Sequence, residues 1–305
     1  MNGSANIGAA ALFARGIAMG AADIVPGVSG GTVALVTGIY DRLIGAIVAV
    51  DRDCLRLLVS GRLSVVWHRV DGVFLVPLLL GIVTAIFALA STIHWLLEAY
   101  PQPLSAGFSG LILASGMLLL RDEVLLNRVD RVLWFSLGVL IAVVIAFMPP
   151  LALLSGLPGL FVAGAIAICA MILPGISGSF MLLLMGMYAP VLAAVRNVEI
   201  VNLMVFTAGC VIGLASFSRL LDALLRSYRM LAMAFLCGVL MGSLVAVWPW
   251  RRTLEVVISG EPAVLTRPVM PPEVTAPQLE LCLATFLIGL LFVWVVQLLA
   301  ARRFG

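Results

Sequence analysis

The sequence predicts an all-α, polytopic membrane helix bundle with two inverted repeats, each opening with a broken helix or re-entrant hairpin. Three observations predict it: an excess of apolar residues, long uncharged stretches, and an ungapped internal duplication. Of the 305 residues, 63% are hydrophobic and 11% charged, against about 45–50% and about 25% in soluble domains. A soluble fold cannot hide that much apolar surface, so the excess faces lipid.

Spans follow from length. Crossing the hydrocarbon layer takes about 20 apolar residues in a helix. Phe74–Leu97, Leu104–Leu120, Val132–Met148, Ile200–Leu220, Leu231–Trp248 and Leu281–Ala300 meet that requirement. Two further stretches are longer but interrupted. The first, Ala9 to Val50, is broken at Pro26-Gly27-Val28-Ser29-Gly30-Gly31; the second, Gly159 to Val195, at Pro174-Gly175-Ile176-Ser177-Gly178-Ser179. Proline removes a helix donor, and the leading pieces are short for a full crossing. Each stretch therefore reads as two half-helices or a re-entrant hairpin, with a pair of complete spans as the alternative. The Pro-rich segment Pro249–Pro277 reads as an external loop, too polar and broken to span.

Arginine placement sets the orientation. All 18 basic residues are Arg. With the N-terminus in the cytoplasm, fourteen of them fall on cytoplasmic loops or helix ends, and four (Arg196, Arg251, Arg252, Arg267) fall outside. That is the positive-inside asymmetry, and it puts both termini in the cytoplasm. Met1–Ala14 lacks a basic leading region, so no cleaved signal peptide is expected. A net charge of +3 gives no reason to expect a nucleic-acid partner. The cysteines Cys54, Cys169, Cys210, Cys237 and Cys282 stand singly with no metal-ligand spacing; no metal and no cofactor are expected, and homo-oligomerisation is left open.

The interrupted stretches align without gaps at an offset of 148 residues. Pro26/Pro174, Gly27/Gly175, Ser29/Ser177, Gly30/Gly178, Gly38/Gly186 and Tyr40/Tyr188 are identical. At an offset of 128 residues the likeness resumes weakly, as Gly81/Gly209, Tyr100/Tyr228 and Gly110/Gly238; a longer polar loop around Asp51–Gly72 accounts for the change. Residues 1–148 and 149–305 thus form two repeats of one membrane domain. The predicted topology inverts them, and in transporters built this way discontinuous helices from both repeats form the substrate site near the midplane.

The breaks carry the expected chemistry. A helix restarting at Ser29-Gly30-Gly31-Thr32 or Ser177-Gly178-Ser179 presents unpaired N–H groups and partial positive charge, and glycine lets an anion approach. Pro26, Gly27, Ser29, Gly30, Gly31, Thr32, Pro174, Gly175, Ser177, Gly178 and Ser179 are the expected anion-binding residues. The competing reading is that the serines only cap the new helices. Asp23, opposite Met171 in the repeat, and Arg15 are candidates for charge or proton coupling, because a charge deep in a bilayer is costly. Tyr40, Tyr188, Tyr100 and Tyr228 read as interfacial anchors or packing residues.

Two other readings stay open: transport of a small soluble anion, and an intramembrane serine hydrolase of rhomboid type. Gly27-Val28-Ser29-Gly30 fits a GxSG nucleophile, with His94 as a possible base on another span. Against hydrolysis, Gly175-Ile176-Ser177-Gly178 duplicates the motif, and a nucleophile needs no twin.

Asp23-Ile24-Val25-Pro26-Gly27-Val28-Ser29-Gly30-Gly31-Thr32, followed by Gly38-Ile39-Tyr40, closely resembles the first signature of a bacterial family once catalogued as a domain of unknown function. Met171-Ile172-Leu173-Pro174-Gly175-Ile176-Ser177-Gly178-Ser179-Phe180, followed by Gly186-Met187-Tyr188, resembles its second. That family is associated with polyprenyl-phosphate transport (the PopT type). The resemblance implies a flippase of the bacterial inner membrane that recycles undecaprenyl phosphate, the carrier lipid of cell-wall synthesis, among membrane lipids. It implies no enzymatic activity.

Overall fold

The computed structural model describes residues 7–24, 29–122, 128–148, 155–258, 261–269 and 279–301. The chain begins with α1 (Ala9–Ile24), α2 (Gly30–Val36), α3 (Tyr40–Val48), α4 (Arg52–Val59), α5 (Leu63–Arg69), α6 (Gly72–Ala99), α7 (Pro101–Asp122) and α8 (Val129–Phe147). It continues with α9 (Gly156–Ile172), α10 (Gly178–Leu184), α11 (Tyr188–Arg196), α12 (Ile200–Ser227), α13 (Arg229–Gly242) and α14 (Leu244–Val247). A hairpin of β1 (Arg251–Ile258) and β2 (Glu261–Pro268) then precedes α15 (Leu279–Ala301).

Among the described residues, five helical segments are long and apolar enough to cross a membrane: α6, α7, α8, α12, and α13 with α14. The count rises to as many as seven if each of two bent pairs is one span. All five match expected spans, and α15 covers the sixth. α1 and α9, at 16 and 17 residues, fall short of a full crossing.

The expected second half-helices are not single helices. α2 meets α3 at 119° and α10 meets α11 at 112°. Glycine is the cause: Gly38 (φ +70°) and Gly186 (φ +69°) lie in the left-handed region, where the chain leaves a helix and only glycine sits without strain. Both belong to the duplicated Gly-x-Tyr. α2 and α10 are therefore only seven residues long.

Small residues set the helix crossings, as they do where lipid gives no hydrophobic drive to association. α1 packs on α6, and a Cβ on Gly16 would run into the Leu78 carbonyl, one on Gly81 into the Phe13 carbonyl. α9 packs on α12 in the same way: Gly164 abuts the Phe206 carbonyl and Gly209 the Phe161 carbonyl. Gly16 and Gly164 lie 148 residues apart, as do Phe13 and Phe161; Gly81 and Gly209 lie 128 apart. The weak sequence likeness at the second offset thus marks the same close approach made twice.

The remaining long helices pair across the chain. α7 packs on α15 through Gly110 and Gly289, and α8 on α13 through Gly138 and Gly238. The core holds Leu12, Phe74, Leu78, Ile112, Leu236 and Leu240, together with Ile39, Tyr40 and Ile44 around the start of α3. Large apolar side chains such as Phe87, Leu133, Val201 and Ile288 are exposed on the long helices, as lipid-facing surfaces require.

The polar segment after α3 contains α4 and α5. Asp51 caps α4 by accepting the Cys54 N–H at 2.8 Å and also pairs with Arg69. Arg42 binds Asp71 through two bonds of 2.6 and 3.1 Å and lies 4.5 Å from the Phe74 ring centroid. Arg229 reaches Asp41 at 2.6 Å. These pairs tie the starts of α3, α6 and α13 together.

Among the described residues, the strands are confined to a hairpin inside the segment expected to be an external loop. β1 and β2 run antiparallel, with Arg251 opposite Pro268 and Ile258 opposite Glu261. Trp248 closes its base, donating its indole N–H to the Val269 carbonyl at 2.9 Å.

Candidate functional site

The two expected breaks meet. Pro26 and Gly27 lie outside the described residues, but Ser29, Gly30, Gly31 and Thr32 are buried against the end of α9 and the second break. Ser29 is extended at the start of α2, and its hydroxyl oxygen accepts the Gly31 N–H at 3.0 Å. The same hydroxyl donates to the Met171 carbonyl at 2.9 Å. One side chain thus satisfies a donor at the start of α2 and an acceptor at the end of α9, where intrahelical partners run out.

Two further bonds cross between the motifs. The Gly175 N–H donates to Thr32 Oγ1 at 2.9 Å, and the Tyr40 hydroxyl donates to the Ile172 carbonyl at 3.0 Å. Ser29 and Thr32 are fully buried. Glycine permits this approach, since a Cβ on Gly31 would lie 2.6 Å from the Ile172 carbonyl oxygen. Gly175 carries φ +85°, and a Cβ there would lie 2.7 Å from Ser243 Oγ and 3.0 Å from Leu240 Cα.

The two motifs are not equivalent in detail. The Gly30 N–H donates to Asp23 Oδ1 at 2.7 Å, so a carboxylate of the chain already sits at the start of α2. At the corresponding place before α10 stands Met171, whose Cγ would lie 2.7 Å from a Cβ on Gly178. Ser177 makes no capping bond there; its hydroxyl pairs with that of Ser179 at 2.8 Å. Pro174, Gly175, Ser177 and Gly178 are buried and Ser179 half-buried. The cavity lined by Gly175, Ser177 and Ser243 holds only about 10 Å³. In this conformation the expected cradle is shut, and its first-motif hydroxyls are spent on protein contacts.

Arg15 stands beside Gly16 where α1 crosses α6, about 12 Å of helix rise from Asp23. Of His94 only the backbone, in α6, is described. Ser29 bonds to the Met171 carbonyl and the Gly31 N–H, and Ser177 to Ser179, partners that activate neither as a nucleophile. Among the described residues, no three His, Cys, Asp or Glu side chains gather in a form that could hold a metal.

Tyr40 is the residue that sequence reading undervalued. Read as an anchor or packing residue, it is 2% exposed and bonded across the site, whereas Tyr188 is 45% exposed. The duplicated Gly-x-Tyr was the only signal available. It does not say which copy turns inward.

Comparison with known proteins adds what geometry does not. No solved structure matches the chain. A protein named polyprenyl-phosphate transporter from Vibrio cholerae serotype O1 is 47% identical over 243 residues, covering 80% of this chain and 79% of that one. Another of the same name from Staphylococcus aureus is 32% identical over 271 residues, covering 81% and 91%. Residues 19–263 match the VCA0040-like family model, described as undecaprenyl phosphate translocase-like. With both breaks inside that match, the chain belongs to the VCA0040-like, undecaprenyl phosphate translocase-like family.

Proposed function

We propose that this protein moves undecaprenyl phosphate, or a similar polyprenyl phosphate, across the bacterial inner membrane, with residues 1–148 and 149–305 acting as inverted repeats. The observation that carries the reading is the meeting of the two Pro-Gly-x-Ser-Gly breaks inside a helical bundle of this family. Matched glycine crossings at Gly16/Gly81 and Gly164/Gly209 support the duplication. The arginine count supports cytoplasmic termini.

The contact suggests how loading drives the motion. Separating the breaks frees the Ser29 hydroxyl from the Met171 carbonyl and the Gly175 N–H from Thr32 Oγ1. Away from water such groups cost several kcal/mol each when unsatisfied. A phosphate accepts from the freed hydroxyl and N–H groups, with Ser177 and Ser179 adding donors. Opening is then favourable only with a headgroup present. α2 and α10 are two turns long, so hydroxyls and individual N–H groups do more here than a helix dipole would. Asp23 beside Gly30 repels an incoming anion until it is protonated or displaced, which links proton uptake to loading; Arg15 adds positive charge on the same helix.

The test is native mass spectrometry of the purified protein with undecaprenyl phosphate, competed by undecaprenol and by inorganic phosphate, followed by a leaflet-resolved transport assay. Selective retention of the lipid phosphate is the expected result. Equal competition by inorganic phosphate would move the reading to a soluble-anion transporter.

A further inference from the structure

We propose that the groove between α8, α12 and α13 is a binding site for the lipid, holding the first isoprene units while the phosphate rests at the arginines beside Tyr228. The proposal builds on the polyprenyl-phosphate reading and places the tail, which that reading left unplaced. The groove encloses about 490 Å³, within the range of about 300–1,000 Å³ usual for ligand pockets. The cavity behind α1 and α2 holds about 200 Å³ and is likewise apolar. The α8–α12–α13 groove differs in its ends.

Its inner end is Leu173, the residue before Pro174, one position from the carbonyl that receives the Tyr40 hydroxyl. Its outer end is Tyr228, at the junction of α12 and α13, with Arg226 and Arg229 on either side in sequence. Trp134, Tyr228 and Phe235 give it aromatic walls, and Leu224 and Ala232 line the passage between the ends. An apolar slot that ends at a tyrosine flanked in sequence by two arginines suits a molecule with a charged head and an apolar tail. Arg226 is 74% exposed and held by an i,i+4 pair to Asp222 at 3.0 Å. Exposed pairs of this kind contribute little, so a phosphate can replace the carboxylate. Arg229, 49% exposed, is engaged with Asp41, the residue after Tyr40, so a headgroup there sits beside the start of α3.

Apolar burial alone cannot select this ligand, because lipid chains are as apolar as the groove. Selection comes from fit: methyl-branched isoprene units against aromatic walls, and a phosphomonoester with more negative charge than a phospholipid diester. The site is tested by filling it. Ala232→Trp narrows the passage, and Leu224→Trp does so from a position that is 40% exposed, which keeps the test usable if the first variant misfolds. Leu287→Trp, on the exposed face of α15, is the control. Retention of undecaprenyl phosphate in native mass spectrometry is expected to fall about tenfold in the filled variants and to stay unchanged in the control. Arg226→Gln is expected to weaken undecaprenyl phosphate and leave undecaprenol unaffected. Unchanged retention in both filled variants, equal loss in the control, or equal displacement by phosphatidylglycerol would overturn the site and leave the transport reading standing. Failure of the unaltered protein to retain undecaprenyl phosphate would remove both.

Discussion

The hydroxyl of Tyr40 donates to the carbonyl of Ile172 at 3.0 Å, joining the start of α3 to the end of α9. Its counterpart Tyr188 is 45% exposed, so one copy of a duplicated residue closes the site and the other does not. Tyr40→Phe removes one buried bond and leaves a carbonyl unpaired, a cost of about 1–3 kcal/mol. A melting temperature lowered by several degrees in detergent is expected for Tyr40→Phe, with no change for Tyr188→Phe. Equal shifts in the two variants would mean that the cross-site bond does not hold the closed form.

Surroundings, not backbone conformation, separate Gly38 from Gly175, two glycines that share a positive φ. Gly38→Ala meets no neighbouring atom and suffers only its positive φ, about 1–2 kcal/mol. Gly175→Ala suffers the same strain and also drives its Cβ onto Leu240 and Ser243. Thermal unfolding is expected to rank Gly175→Ala as the more damaging by at least about 1 kcal/mol. Adding Ser243→Ala should return only part of the loss.

Asp23→Asn keeps an oxygen able to accept the Gly30 N–H and removes the charge. Folding is expected to survive. If Asp23 couples proton uptake to loading, transport by the variant loses its dependence on external pH while binding of undecaprenyl phosphate at neutral pH is retained. A variant with an unaltered pH profile would place the coupling elsewhere.

Asp51 lies outside the spans, and its bond from the Cys54 N–H, followed by that from Arg69, holds its carboxyl below the ordinary value. A carboxyl lowered by folding stabilises the folded form above its unfolded value, and that contribution disappears as pH falls through the lowered one. Protection of the Cys54 amide against hydrogen exchange, taken relative to its intrinsic rate at each pH, is expected to hold at neutral pH and to fall in acid below the usual carboxylate range. Asp51→Asn should flatten that response.

The breaks were legible because they are duplicated: Pro-Gly-x-Ser-Gly followed by Gly-x-Tyr, twice at one spacing, is a pattern that apolar composition does not produce. The bends at Gly38 and Gly186 were present in the same pattern but hidden, since the residues on either side are apolar enough to read as one helix. That Ser29 and Thr32 would spend their hydroxyls on Met171 and Gly175 was not legible, because a cap and a ligand site ask for the same residue types. The hairpin left a trace in Val256-Val257-Ile258 and Ser259-Gly260, which strands and tight turns favour; surrounding prolines argued for a loop instead. Crossings such as Gly110 on Phe286 depend on which helices become neighbours, and a single chain does not reveal that.

The pairing of α8 with α13 and of α7 with α15 has a consequence for biosynthesis. Each earlier helix of these pairs leaves the ribosome with its small-residue face, Gly138 and Ala142 in one case and Gly110 in the other, before its partner exists. Those faces must wait in lipid, and the bundle locks only when α15 arrives. A chain stopped before α15 would keep every residue of both breaks and still lack a stable scaffold around them. Two fragments divided between α8 and α9 should recover the fold only when made together in the same membrane.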